Sequence, residues 1–71
     1  MFSANYRVLG AKIQYNRKIK GLTQQQLAGA IGISTNYLSA IERGVVQGYP
    51  VSIVWSVAKI LGIKAEDLLK E

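Results

Sequence analysis

Apolar residues along this chain recur at helical rather than strand spacing. Tyr6, Leu9 and Ile13, with Arg17 one turn further on, share one stripe of a helix predicted over about residues 6–18. Gly10 lies beside that stripe and costs roughly 1 kcal/mol of helix propensity against alanine. It fits best where another backbone passes close by. The run "LTQQQLAGAIG" predicts a second helix. Thr23 is a good N-cap, Gln26 three residues on completes a capping box, and Leu22 and Leu27 flank the cap as a hydrophobic staple. Gly32 stands where a left-handed residue closes a helix. A third helix follows at once, capped by Ser34, with Ile33 and Leu38 repeating the staple. Leu38 and Ile41 face in and Gly44 is the stop.

The later part of the chain is less regular. "VVQGYP" reads as a loop, and Pro50 suits the first turn of a fourth helix, where its missing N–H costs nothing. That helix, about residues 51–61, is apolar on more than one face. Val51, Val54, Trp55, Ala58 and Leu61 form one stripe, and Ile53, Val57 and Ile60 form a second. A surface helix needs only one such stripe, so the second wants a cover. Either the fifth helix and the N-terminal arm with Met1 and Phe2 supply it, or it is a homodimer interface that Val45, Val46 and Tyr49 extend. Gly62 closes the fourth helix, and "KAEDLLK" makes a short fifth with Leu68 and Leu69 facing in. Two short capped helices sharing a turn of about three residues with glycine in it, Gly32 to Ser34, are the pattern of a helix-turn-helix.

Composition narrows the class. Seventy-one residues make a single domain, with residues 1–5 as an arm and the helix-turn-helix over 23–43. There is no cysteine for a disulfide or thiolate site. No apolar run approaches the roughly 20 residues that span a bilayer, and "MFSANYRVLG" does not resemble a signal peptide. The expectation is a cytoplasmic protein with no membrane association. With neither His nor Cys, and only one Asp and three Glu, no nucleophile–base pair or metal cluster can be assembled. A non-enzyme without metal, cofactor or small-molecule ligand is expected. The net charge of +5 is unevenly placed. Arg7, Lys12, Arg17, Lys18, Lys20 and Arg43 face a single acid, Glu42, before Gly44, while the remainder is neutral. That asymmetry points the first half toward a polyanion.

The stretch "LTQQQLAGAIGISTNYLSAIERG" resembles the lambda-repressor-like, or Cro/cI (XRE-type), helix-turn-helix family. The flanking "VLGAKIQYNRKIKG" and "AKILGIKAEDLL" extend the similarity over about residues 8–69. Gln24 opening the second helix, Ala28 where two helices cross, Gly32 in the turn, Leu38 and Ile41 as anchors and the closing "IERG" carry it. The resemblance implies an all-α, compact five-helix bundle that binds duplex DNA sequence-specifically, with the helix over residues 34–43 in the major groove. Thr35, Asn36, Ser39 and Ala40 then face base edges. Asn36 can bond adenine bidentately, Thr35 offers a hydroxyl or methyl, Ser39 a hydroxyl, and Ala40 only a methyl contact.

Gln24 matches a phosphate-holding position, and Arg43 and Gln47 are placed to meet the backbone, contacts that position without specifying. Lys18 and Lys20 add long-range attraction. The Tyr37 ring can pack across the second helix while its hydroxyl reaches a phosphate. Bland readings stand beside these: Ser34 as a cap rather than a DNA contact, Thr35 and Asn36 as solvated first-turn residues. Arg17 and Glu42 match a family ion pair between the first and third helices. The chain departs from the family in a longer loop over residues 44–50, and in Pro50 and Lys64 where a serine-type cap is usual.

The function implied is a transcriptional regulator of bacterial, phage or mobile-element type. By default it is a repressor, binding a palindromic double-stranded operator as a homodimer with half-sites about one helical turn apart. The alternative is a protein-interaction module, antitoxin-like or regulator-binding, that keeps the fold without operator binding. The apolar fourth helix and the Val45-Val46 loop support that second reading.

Overall fold

Helix boundaries in the computed structural model, which describes residues 5–70, follow local capping chemistry in the first half of the chain and depart from it in the second. Among the described residues there are five helices: α1 Tyr6–Ile19, α2 Gln24–Ile31, α3 Thr35–Arg43, α4 Val51–Leu61 and α5 Ala65–Leu69. The Asn5 side chain accepts from the Val8 N–H at 3.2 Å. Thr23 and Gln26 close a reciprocal capping box at 3.0 and 2.9 Å, and the Ser34 hydroxyl accepts from the Tyr37 N–H at 3.0 Å. These bonds satisfy backbone donors that a helix start leaves free. By contrast α4 and α5 begin at Pro50 and Lys64 with no side-chain cap. Pro50 is the N-cap itself, the position where the family resemblance implies a serine-type cap, and not a first-turn residue as the local helical pattern suggested. Its ψ of 140° is extended, and its carbonyl accepts from the Ile53 N–H.

One core joins all five helices. Leu9 and Ile13 enter it from α1, Leu27 and Ala28 from α2, Leu38 and Ile41 from α3, and Leu68 from α5, with Leu69 half-buried beside them. From α4 come Val54, Val57, Ala58 and Leu61. This corrects the sequence reading of that helix. Val57 is fully buried within the monomer and cannot line a dimer interface, whereas Trp55 is 61% exposed and Val51 and Ile60 are also exposed. The i, i+3, i+4, i+7 row through Val54 faces α2 and α5, and turning it inward carries Trp55 out. Ile53 is half-buried at the edge. Tyr49 is likewise core and not surface: its ring lies 5.1 Å from that of Tyr6 at a tilted angle. Val46 packs at the core edge and Val45 stays exposed. The cover assigned to Met1 and Phe2 lies outside the described residues. None of the described helices is long and apolar enough to cross a membrane.

Two glycines let α1 lie directly on the end of α3. A Cβ on Gly10 would collide with the Ile41 carbonyl oxygen and stand 3.0 Å from that of Glu42. One on Gly44 would stand 2.7 Å from the Arg7 Cα, and the Gly44 φ of +74° already favours glycine. Lys12 on α1 donates its ammonium to the Lys70 carbonyl, fastening the end of α5 to the same helix.

Gly10→Ala is expected to destabilise the fold by about 1–3 kcal/mol in urea unfolding, although alanine is the better helix former, because the added methyl meets fixed backbone. Tyr49 gives a second expectation. Burial, and then the neighbouring Tyr6 and Tyr37, push its phenol up to about 12. Its buried hydroxyl has no hydrogen-bond partner among the described residues. The neutral form is favoured in the fold, so this contribution is whole below the unfolded value near 10 and is lost as pH rises through about 12. Stability should fall by about 2–3 kcal/mol from this group over that window. Tyr49→Phe should abolish that component while leaving stability at pH 7 unchanged or raised, as thermal melts across pH would record.

Candidate nucleic-acid interface

The turn between α2 and α3 is set by Gly32, whose φ is 78°, with the Ile33 N–H donating back to the Ala28 carbonyl at 3.0 Å. It delivers α3 with Leu38, Ile41 and Glu42 buried on one side. The opposite side carries the residues singled out for base contact. Thr35 and Asn36 are exposed at the tip, while Ser39 and Ala40, one turn further on, are half-buried. The pairs 35/39 and 36/40 are i, i+4 neighbours, so the four residues form two adjacent rows of one face. The strongly available part of that face is its first turn, narrower than the sequence implied. Ser34 beside it is engaged as a cap.

Beneath this face lies a polar network. Arg17 Nε donates to Glu42 Oε2 at 2.7 Å and Nη2 to Oε1 at 3.0 Å, a two-pronged ion pair whose side chains are 7% and 0% exposed. Arg17 Nη1 donates to the Leu22 carbonyl at 2.7 Å, holding the segment that leads into α2. Gln24, half-buried as the first residue of α2, donates Nε2 to Glu42 Oε1 at 3.0 Å. Sequence reasoning assigned Gln24 to a phosphate and missed this bond. A signal for it existed: a carboxylate has about four acceptor sites, and a two-pronged arginine fills only two.

The other residues considered for backbone contact are spread around α3. Tyr37 is half-buried with its ring against the core edge. Arg43 in the last turn and Gln47 in the following loop are both exposed. Lys18 and Lys20 are exposed at the end of α1, just before α2. The structure therefore offers an exposed polar tip on α3, with exposed cations at Arg43 in its last turn and at Lys18 and Lys20 just before α2. That is a surface suited to a polyanion whose groove admits a helix. Of the positions assigned to a dimer interface, Ile60 is exposed and Ile53 half-buried, while Val57 lies in the core.

Comparison with known proteins agrees with this fold. The helix-turn-helix family model matches residues 13–68. YazB of Bacillus subtilis, an uncharacterized HTH-type transcriptional regulator, is 40% identical over 62 residues, covering 86% of this chain and 87% of that protein. The transcriptional regulator SinR of Bacillus subtilis is 31% identical over 64 residues, 90% of this chain but 58% of that protein. A crystal structure of SinR, the master regulator for biofilm formation, in complex with DNA overlays with a TM-score of 0.81 at 31% identity, covering 87% of this chain and 98% of that one. The clp gene regulator ClgR of Corynebacterium glutamicum overlays at 0.85 with 33% identity, covering 97% of this chain and 72% of that one. With its five helices, its α2–turn–α3 unit and a family match over residues 13–68, this chain belongs to the XRE (Cro/cI-like) helix-turn-helix family and is a DNA-binding transcriptional regulator.

Proposed function

We propose that α3 lies in the major groove with Thr35 and Asn36 as its principal readers, Ser39 and Ala40 as flanking contacts, and Gln24, Tyr37, Arg43 and Gln47 on the phosphates. One observation carries the reading. Thr35 and Asn36 are exposed, and neither side chain is hydrogen-bonded to another described residue, whereas Ser34 next to them is committed to its cap. Polar groups held at a helix tip and left unengaged are what base edges require. The excess of positive charge before Gly44 supports the same partner.

The regulator acts as a repressor in this reading, occupying a palindromic operator as a homodimer in the cytoplasm, without enzymatic activity. Support for the dimer comes from apolar side chains that the core leaves uncovered on α4: Trp55, with Val51 one turn before it, on one flank of the buried row, and Ile60, with half-buried Ile53, on the other. Trp55 is 61% exposed in the single chain, and a two-fold copy packed on that flank would bury it.

Selection of duplexes from a random pool should yield a palindromic motif. Asn36→Ala should relax one position per half-site, with affinity for the selected duplex falling about 5- to 100-fold, the range of one good base contact. No enrichment even at low salt would sink the proposal. Arg43→Ala should behave differently. Its loss of affinity should be uniform across sequences, and the slope of log affinity against log salt should shrink by about 0.9 per site, measured by fluorescence titration.

A further inference from the structure

The polar network under α3 links the frame of the domain to its DNA-facing side. Arg17 takes one acceptor site on each oxygen of the Glu42 carboxylate, and Gln24 takes a further one on Oε1. The same guanidinium holds the Leu22 carbonyl, two residues before Gln24. Both the backbone leading into α2 and the side chain of its first residue are thus fixed by one buried pair. The Gln24 amide nitrogen carries two hydrogens, and only one is used by Glu42; the second remains, as does the amide oxygen.

We propose that Glu42 is a positioning residue for DNA binding: it holds the Gln24 amide with one N–H on the carboxylate, so that the other is already aimed when a phosphate oxygen arrives. This rests on the phosphate role given to Gln24 above. Glu42 itself is fully buried in side chain and never touches DNA. A glutamine free in solvent loses rotamer freedom when it grips a phosphate, whereas one already held has lost most of it beforehand. The Arg17 guanidinium neutralises the carboxylate, so the holder does not repel the phosphates that its partner meets.

The test is a double-mutant cycle on a short mixed-sequence duplex at low salt. Gln24→Ala alone should weaken binding about 3- to 10-fold, the size of one hydrogen bond. Replacing the pair together, Arg17→Met with Glu42→Met, keeps net charge and fills the space with apolar groups, a change that buried pairs often tolerate. Its folding is checked by a thermal melt. In that background binding should already be weakened by a similar factor, the salt slope should be unchanged, and adding Gln24→Ala should cost less than about 2-fold. A Gln24→Ala loss of equal size in both backgrounds, or none in either, overturns the assignment. The unmodified chain supplies a readout that needs no variant. Without DNA, the Gln24 side-chain amide protons should resonate away from free-glutamine positions and exchange slowly with solvent; free-glutamine behaviour would also overturn it. Failure of the unmodified chain to bind any duplex removes the phosphate role itself, whereas binding with an additive cycle removes only the positioning role.

Discussion

The Arg17–Glu42 pair is the interaction on which the arrangement of the first three helices depends. Two full charges are taken almost completely out of water, which is costly unless geometry and extra hydrogen bonds compensate. Here they do: two parallel N–H bonds to the carboxylate, one to the Leu22 carbonyl and one from Gln24. These bonds fix α1 to α3, and both to the start of α2. Removing one partner alone would leave a buried charge without a counter-charge, at about 3–5 kcal/mol, a large part of what a domain this small can have.

Apolar packing supplies the driving force around that pair, and glycine supplies the room. With Gly10 under the Ile41 and Glu42 carbonyls and Gly44 against Arg7, α1 lies on α3 backbone to backbone. No intervening side chain can change rotamer and let the helices shift. The hydrophobic residues that fill the remaining space are medium-sized aliphatics, with Tyr49 and Tyr6 closing one end.

What the sequence disclosed follows the range of the interactions involved. The caps at Thr23 and Ser34, the capping box with Gln26 and the left-handed glycines at 32, 44 and 62 are set by residues within four positions, and each was legible. So was the inward stripe of α1: Leu9, Ile13 and Arg17 are buried and Tyr6 half-buried, while the apolar row Val8, Tyr15 and Ile19 stays exposed. The rotation of α4 was not. Val51, Ile53, Trp55 and Val57 are equally apolar, and only the position of α2 and α5 decides that Val57 goes in and Trp55 out. Tyr49 was misplaced for a related reason. It sits in a loop with no periodicity, and its burial comes from Tyr6, more than forty positions earlier. The Gln24–Glu42 bond also joins residues distant in sequence, although both side chains had been singled out separately.

The exposed tip of α3 has a consequence over longer times than binding or folding. Thr35 and Asn36 take no part in the core or in the network beneath it, so exchanging them alters stability by no more than about 0.5 kcal/mol. The frame tolerates little at Gly10, Arg17 or Glu42, while the tip is nearly free to vary. On the proposed reading of Thr35 and Asn36 as the base contacts, a lineage carrying this domain can drift from one DNA address to another by small steps, each passing through a protein that still folds.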